Sequence, residues 1–567
     1  MSAAEFRFIF DHIIDFDALT QTPHFAEAKA DLRQAILEQA ERLCEHSLKP
    51  LQRLGDVSGA RLENGAVRDA PGFGAAYKEI ARGGWVGISA PTEQGGMGLP
   101  LTLSTAVNEM MAGACLALQI CPLLTQGQIE ALCHHASPEL QALYLPNLIS
   151  GRWTGTMNLT EPQAGSDLAA LISKAEPRGD GSYAVSGKKI FISYGDHQMA
   201  ENICHLVLAR LPDAPPGIKG ISLFLVPKFL PKPDGSLGGR NQIRVMGVEH
   251  KLGIHGSPTC SLSFDGATGW LVGPPHGGMA AMFTMMNNAR LGVAAQGIGV
   301  AQASFDHALR YARERRQGPT PLAKSGPIGD HADVRRMLMH MRAEIFAARC
   351  LALSCAKALD MAASGDQAWA ARATFLTPIA KICGTETGMH VAEDTVQVFG
   401  GMGVIEETGA AQFHRDVRVT SIYEGTNGIQ AMDLTGRKLA DNGAAAFALI
   451  GEIQRDAETA RASQPQLADA VWAASESLRE TTEVLLACPA PERFGGALAY
   501  GRGFARILGA DAHLKAACAT TSPDHPLRLS LAKFYISRIL PQYSGYLAEA
   551  RMGNDALYDL SLGDLAS

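Results

Sequence analysis

The sequence lacks an excess of charge of either sign. Its 567 residues include 50 Lys and Arg against 57 Asp and Glu, which gives a formal net charge of -7. Proteins that bind nucleic acids usually carry a basic surplus, so this composition gives no sign of a nucleic-acid partner. A phosphate-bearing ligand would have to be held by a few local arginines.

Paired cysteine motifs are also missing. The 11 cysteines include no Cys-x-x-Cys and are odd in number. Most stand among apolar residues, as Cys115 does between Ala114 and Leu116. Such cysteines are typical of reduced core side chains, and we therefore expect a cytoplasmic protein. No metal site is expected, because His250 and His255 have no third ligand near them in the sequence.

Targeting, membrane and Rossmann signals are absent as well. Residues 1–5 lack the basic and apolar regions of a signal peptide, so secretion is not expected. The most apolar stretch, residues 102–124, is interrupted by Asn108 and Glu109, and we predict no membrane span. No G-x-G-x-x-G motif follows a strand, which disfavours a Rossmann-type dinucleotide site.

The periodicity of apolar residues divides the chain into a helical, a strand-like and a second helical part, and predicts an α+β multidomain protein. Helical spacing, as at Leu32, Ile36 and Leu43, gives way near Gly155 to strand-like alternation with glycine and proline between the strands. Helical periodicity then returns up to the end of the sequence. The predicted domains are an N-terminal α-helical domain (1–155), a middle β domain (156–275), a C-terminal α-helical bundle (276–443) and an extra helical C-terminal domain (444–567).

Residues 421–432 are the stretch most suggestive of chemistry, reading Ser-Ile-Tyr-Glu-Gly-Thr-Asn-Gly-Ile-Gln-Ala-Met. Glu424 lies beside Gly425, whose flexibility lets the backbone come close to a ligand. A carboxylate in a dry pocket becomes a stronger proton acceptor, as the removal of a weakly acidic C–H proton requires. The simpler alternative is a helix start with Thr426 or Asn427 as N-cap, and the stretch by itself favours that alternative.

Several segments resemble the acyl-CoA dehydrogenase family, in the same order along the chain. Residues 421–432 resemble its Tyr-Glu-Gly-Thr segment. Residues 157–167, Met-Asn-Leu-Thr-Glu-Pro-Gln-Ala-Gly-Ser-Asp, resemble its flavin segment. Residues 188–193 resemble its Trp-Ile-Thr segment, with Phe191 where tryptophan is frequent, and residues 397–403 resemble its Gln-x-Phe-Gly-Gly-x-Gly. The joint occurrence of these segments by chance is far less probable than the chance occurrence of any single one.

The resemblance implies an FAD-dependent acyl-CoA dehydrogenase of fatty acid β-oxidation, which converts an acyl-CoA thioester to the trans-2-enoyl-CoA. Electrons would pass to an electron-transfer flavoprotein. The implied fold has an N-terminal helical domain, a β-barrel-like middle domain and a C-terminal four-helix bundle. The appended helical region makes the chain similar to the long branch that includes 3-methylthiopropionyl-CoA dehydrogenase.

The resemblance also assigns roles to residues. Glu424 would be the catalytic base, because Ala289 occupies the position where some family branches carry that glutamate. The implied FAD-binding residues are Met157, Leu159, Thr160, Ser166, Phe191, Ser193, Arg315, Gln397, Gly401 and Thr426. The implied substrate-binding residues are Ser166, Asn287, Arg290, Tyr423 and Gly425. The chain would be at least a homodimer, since Arg315 matches an arginine that reaches the FAD of a neighbouring subunit.

Each segment also has a simpler explanation by itself. The flavin segment could be a polar turn, Phe191 a core residue, the methionine-rich run at 279–291 a core face, and the basic end of the next helix, residues 301–316, a solvated surface. The chain also departs from family patterns at Asn287, Gln317 and Asn427. Two alternatives therefore stay open, an acyl-CoA oxidase that produces hydrogen peroxide and a non-catalytic flavin- or CoA-binding protein.

Overall fold

The computed structural model describes residues 3–363 and 365–566. The chain forms two compact units. We call one the bundle unit (Met1–Leu37, Pro100–Glu109 and Val293–Ser567) and the other the barrel unit (Glu38–Leu99 and Met110–Gly292). These units cut across the four-domain division expected from periodicity, whose boundaries stay predictions.

Most strands lie in the middle of the chain, with helices before and after them, as the periodicity predicted. The helices are α1 (Ala3–His12), α2 (Asp17–Thr20), α3 (Ala30–Leu43), α4 (Lys49–Ser58), α5 (Phe73–Arg82), α6 (Leu101–His135), α7 (Pro138–Ile149), α8 (Gly278–Glu314), α9 (Ala332–Ala362), α10 (Gln367–Phe399), α11 (Ala410–Val417), α12 (Asn427–Asp433), α13 (Ala444–Ala460), α14 (Pro465–Ala487), α15 (Ala497–Cys518), α16 (His525–Phe534) and α17 (Tyr543–Met552). The strands are β1 (Arg61–Glu63), β2 (Ala66–Arg68), β3 (Trp153–Asn158), β4 (Lys174–Pro177), β5 (Tyr183–Ser193), β6 (Asn202–Arg210), β7 (Ile221–Pro227), β8 (Phe229–Pro231), β9 (Leu237–Arg240), β10 (Ile243–Val248) and β11 (Thr259–Val272).

Strands of the barrel unit close on themselves. β11 pairs with β5 and β7, β5 pairs with β4, and β6 pairs with both β4 and β7, while β10 and β3 extend the sheet on either side. Closure leaves few open strand edges and encloses an apolar core. Val207, Phe224, Val226 and Leu262 are buried in it. The predicted β-barrel-like middle domain is confirmed.

Helix α8 corrects one expectation. The sequence predicted a methionine-rich run at 279–291 and a separate helix at 301–316, but both belong to one helix of 37 residues. Its glycines do not break it, because they allow another helix to come close. A Cβ added to Gly297 would lie 2.3 Å from the carbonyl oxygen of Gly384 on α10. Gly297 is therefore a packing residue rather than a helix end.

The appended helices α13–α17 pack on the bundle. On α15, the ring of Phe504 meets that of Phe375 on α10 with centroids 5.2 Å apart. The Arg502 guanidinium binds both carboxylate oxygens of Glu386, at 2.8 and 2.9 Å. The extra region is thus joined to the bundle by both apolar and ionic contacts.

Helix α6 is long and apolar enough to cross a membrane, judged by length and composition alone. The sequence did not predict this, because Asn108 and Glu109 interrupt the apolar stretch. However, 94% of its most apolar window is buried inside the folded protein. A core helix of a globular protein passes the same test, so this single helix is weak evidence for a membrane span.

Glu5 of helix α1 ties the start of the chain to helices far along the sequence. Its carboxylate accepts hydrogen bonds from Arg528 at 2.9 and 3.1 Å and from Arg342 at 2.9 Å. The Arg528 guanidinium also lies 4.1 Å from the centre of the Phe8 ring. Burial would raise the pKa of Glu5, but the neighbouring arginines outweigh burial and lower that pKa to about 2.

Because the pKa of Glu5 is lowered on folding, its contribution to stability is present above the unfolded value near 4.5 and is lost as the pH falls toward 2. We therefore predict that Glu5→Gln lowers the free energy of unfolding at pH 7 by about 3 kcal/mol. The difference from wild type should shrink between pH 4.5 and 2. Thermal denaturation across this range, with the exposed-site variant Glu27→Gln as control, checks the prediction. Equal melting temperatures for wild type and Glu5→Gln at pH 7 would contradict it.

Candidate active site

Glu424 lies in a turn immediately before helix α12. Its φ is +58°, and that of Gly425 is +83°. Thr426 then becomes extended and caps the helix, its Oγ1 accepting a hydrogen bond of 3.2 Å from the N–H of Ile429. The prediction of an N-cap at Thr426 is confirmed. A left-handed conformation costs a residue with a side chain about 1–2 kcal/mol, and such strain is typical of functional positions.

Two side chains hold the carbonyl groups of this turn. Gln430 Nε2 donates to the Glu424 carbonyl at 3.1 Å. Lys381 Nζ, from the middle of α10, donates to the Gly425 carbonyl at 3.0 Å and to Asn427 Oδ1 at 2.9 Å. Sequence reasoning missed both. The signal for Lys381 was available, since a lysine stands between Ala380 and Ile382 in an otherwise apolar helix segment.

Tyr423 forms a second contact of the turn. Its hydroxyl donates to Gln296 Oε1 on helix α8. Burial, and secondarily the negative charge of Glu424, raises the pKa of Tyr423 far above its usual value, so the phenol stays neutral at physiological pH. Tyr423, Glu424 and Gly425, which the resemblance grouped, are therefore neighbours in a partly buried site.

A second group of expected residues lies where α8 and α10 end. The rings of Tyr311 on α8 and Phe399 on α10 stack with centroids 4.0 Å apart and an interplanar angle of 12°. This stack places Arg315, just beyond α8, near the end of α10 that carries Gln397 and leads to Gly401. All three are exposed to solvent. A guanidinium, an amide and a glycine backbone can together bind a phosphate-bearing ligand.

The two groups in the bundle unit are distinct. Lys381, which contacts the Glu424 turn, and Gln397 are 16 positions apart on α10, or about 24 Å along the helix. A ligand held at the Arg315 group by one copy of the chain is thus well separated from the turn of that copy. This separation agrees with the expectation that Arg315 serves a neighbouring subunit, which stays a prediction.

In the barrel unit, the segments that follow β3 and end β5 are joined. The N–H of Ile190 donates to the Thr160 carbonyl at 3.0 Å. Lys189 Nζ, fully buried, donates to the Leu159 carbonyl at 3.0 Å and to Glu161 Oε1 at 2.9 Å. Thr160 and Phe191, expected to bind FAD, are therefore brought together. Ser166 lies farther along the exposed loop, and Ser193 pairs with Thr259 in the sheet.

The Lys189–Glu161 pair, which sequence reasoning did not identify, fixes this loop. Burial would raise the pKa of Glu161, but Lys189 together with the N–H of Ile172 and the hydroxyl of Ser173 lowers it to about 2. Burial lowers the pKa of Lys189 to about 8. Both groups are therefore ionised near pH 7, and the loop is held by a charged, hydrogen-bonded pair.

Phe191 has the features expected of a surface for a flat ring. Its side chain is 62% exposed although it is large and apolar, and its φ is +60°. Exposure and strain together are unusual for a core residue, so the core alternative for Phe191 is wrong. The barrel unit thus presents an aromatic face beside the Thr160 loop, which fits an isoalloxazine ring.

Asn287 and Arg290 lie together on α8, in the barrel unit. Arg290 Nη1 donates to Asn287 Oδ1 at 3.2 Å, and the guanidinium is 5.9 Å from the centre of the Phe283 ring. Arg290 is buried, whereas Asn287 is exposed. Met282 and Met285 are fully buried, as core methionines are.

Comparison with known proteins decides the family. The models of the acyl-CoA dehydrogenase N-terminal, middle and C-terminal domains match residues 31–152, 156–267 and 276–439. The chain belongs to the acyl-CoA dehydrogenase family. It is 45% identical over 482 residues to the 3-methylmercaptopropionyl-CoA dehydrogenase of Ruegeria pomeroyi, with 82% of each chain covered. The predicted family, enzyme class and FAD dependence are confirmed at family level.

Two solved structures share the fold of this chain to different extents. Butyryl-CoA dehydrogenase from Megasphaera elsdenii is 26% identical with a TM-score of 0.62, and the match covers 99% of that chain but 72% of this one. ACDH-11 of Caenorhabditis elegans, in complex with C11-CoA, matches 97% of this chain and 96% of its own at a TM-score of 0.75 and 19% identity. The fold of the family therefore occurs both without and with appended helices.

We predict that Lys189→Met weakens FAD binding, because it leaves Glu161 as a buried charge without its cation and releases the Leu159 carbonyl. Loss of one partner of a buried pair costs about 3–5 kcal/mol. The dissociation constant for FAD, measured by fluorescence titration of the apoprotein, should rise at least about 10-fold. The matched control is Lys188→Met, because the neighbouring Lys188 is exposed. Equal FAD affinity in both variants would contradict a role for the pair.

Proposed function

We propose that this protein catalyses the α,β-dehydrogenation of an acyl-CoA thioester to the trans-2-enoyl-CoA, with Glu424 as the base. The family membership supports the reaction class. The observation that carries the assignment of the base is the turn itself. Glu424 is held at a positive φ before a capped helix. It lies beside the partly buried, neutral Tyr423 and beside a glycine that lets the backbone come close to a substrate.

The chemistry requires a carbonyl that is polarised before the proton leaves. The α-proton of a thioester is too weakly acidic for an unaided carboxylate, so we assign the backbone N–H of Glu424 to the thioester oxygen. The Glu424 carboxylate takes the α-proton while the β-carbon loses a hydride, and a double bond forms between the two carbons. FAD, when bound, supplies the two-electron acceptor for that hydride, which no side chain can provide.

The residues of the chain divide the remaining tasks. Thr160 and Phe191 of the barrel unit would contact the flavin ring, with Ser166, Ser193, Met157 and Leu159 alongside. Arg315, Gln397 and Gly401 would hold the phosphate and adenine side of an FAD that belongs to a second copy, and Thr426 would add a hydroxyl. Asn287 and Arg290 would bind the CoA portion. The chain would then act as a homo-oligomer with electron-transfer flavoprotein as its redox partner.

We predict that Glu424→Gln binds FAD and folds normally but no longer bleaches when acyl-CoA is added. Removal of a general base costs about 10²–10⁴-fold in rate. Stopped-flow absorbance of the flavin after mixing with C3 to C16 acyl-CoA thioesters measures this and ranks substrates. Glu407→Gln, at an exposed carboxylate of the same unit, should behave as wild type. Full bleaching of the Glu424→Gln protein would remove Glu424 from this role.

The acceptor separates a dehydrogenase from an acyl-CoA oxidase. We predict that the wild-type protein, given acyl-CoA and air alone, produces little hydrogen peroxide, and that turnover begins when electron-transfer flavoprotein is added. A peroxidase-coupled assay and dye reduction through the flavoprotein measure the two routes in parallel. Peroxide formed in proportion to substrate would favour the oxidase.

A further inference from the structure

We infer that Lys381 is the positioning residue for the catalytic base, an inference that rests on the proposed role of Glu424. Its ammonium group lies in the middle of α10 and has no exposed surface. It reaches the turn from 43 residues earlier in the chain and donates to two oxygens there. Burying a charge is costly unless its hydrogen bonds perform a task, and the contacts of Lys381 show which task this is.

The first contact fixes the peptide between Gly425 and Thr426, one residue after the base. Lys381 Nζ is 3.0 Å from the carbonyl oxygen of Gly425, whose φ is +83°. Glycine can readily adopt other conformations, and rotation of this peptide would turn Glu424 away from its direction in the structure. The rotation would also break the bond to the ammonium group. Lys381 therefore stabilises one conformation of a turn whose own residues could adopt several.

The second contact extends the hold to the start of α12. Lys381 Nζ is 2.9 Å from Asn427 Oδ1, and the amide nitrogen of Asn427 donates to Thr385 Oγ1 at 3.1 Å. Thr385 is one helical turn from Lys381 on α10. The Gly425 carbonyl and the Asn427 side chain, on either side of Thr426, are thus both hydrogen-bonded to α10. The direction of the Glu424 carboxylate therefore depends on α10 as well as on the turn.

A matched control exists in the same unit. Lys357, on α9, is also buried and donates to two backbone carbonyls, those of Ile14 at 2.6 Å and Asp15 at 2.8 Å. It makes the same kind of bond as Lys381 at a place that does not involve the base. Replacing either lysine with methionine removes a buried ammonium group and keeps an unbranched apolar side chain that is one atom shorter.

The experiment compares Lys381→Met with Lys357→Met as purified holoenzymes. The readout is exchange of the α-protons of a 3-thia-acyl-CoA in D₂O, followed by mass spectrometry. Sulfur at the β-position prevents dehydrogenation, so exchange reports proton transfer to the base alone. We expect exchange by Lys381→Met to be about 10–100-fold slower, because small errors of position have effects of that size. Its FAD content and its affinity for the thioester should stay within about twofold of wild type.

Lys357→Met should lose thermal stability yet exchange α-protons at the wild-type rate. Wild-type exchange by Lys381→Met, or an equal loss in both lysine variants, would overturn the inference while leaving the role of Glu424 intact. If Lys381→Met does not fold, Asn427→Ala removes one acceptor and should slow exchange by a smaller factor, and an unchanged rate would again overturn the inference. Failure of the proposed function is recognised separately, by exchange that persists in Glu424→Gln.

Discussion

A base that acts on a C–H bond must point in one direction, and the backbone of Glu424, which we propose as that base, is strained. Glu424 and Gly425 both have positive φ values, and only the surroundings of the turn keep them there. Two carbonyl groups in succession are held by side chains, that of Glu424 by Gln430 and that of Gly425 by Lys381. The strain is therefore offset by bonds that other conformations of the turn would lose.

The appended helices act on the same element from another side. Ala497 on α15 forms an apolar cluster with Ile382 of α10 and Ala431 of α12. Just before α15, Arg493 Nη1 donates to the carbonyl of Thr435 at 3.0 Å, shortly after α12 ends. The extra region thus packs against the helix that begins beside Glu424. The acyl-CoA dehydrogenase C-terminal domain model ends at residue 439, before this region, so in this chain the region adds support to a helix that the family already has.

The sequence predicted most of the fold because its elements have strong local patterns. The change from helical to strand periodicity near Gly155, and the long helical tail, can be read without tertiary information. Helix α8 was described in two parts, a methionine-rich run and a helix at 301–316, whereas the structure has one helix. The motif residues Glu424, Thr160 and Phe191 were found by resemblance, and Thr426 also by its capping chemistry.

The residues that support the site were missed for a physical reason that is the same in both units. Lys189 holds the Leu159 carbonyl before the Thr160 loop, and Lys381 holds the Gly425 carbonyl beside the base. In each case a buried ammonium group on a regular element fixes a loop that comes from a distant part of the chain. A lysine in an apolar segment indicates burial, but its partner depends on tertiary contacts. Every residue has a backbone carbonyl, so the sequence does not show which carbonyl accepts the bond. Each loop can then keep small, flexible residues next to a ligand, since its rigidity is supplied by the strand or helix behind it.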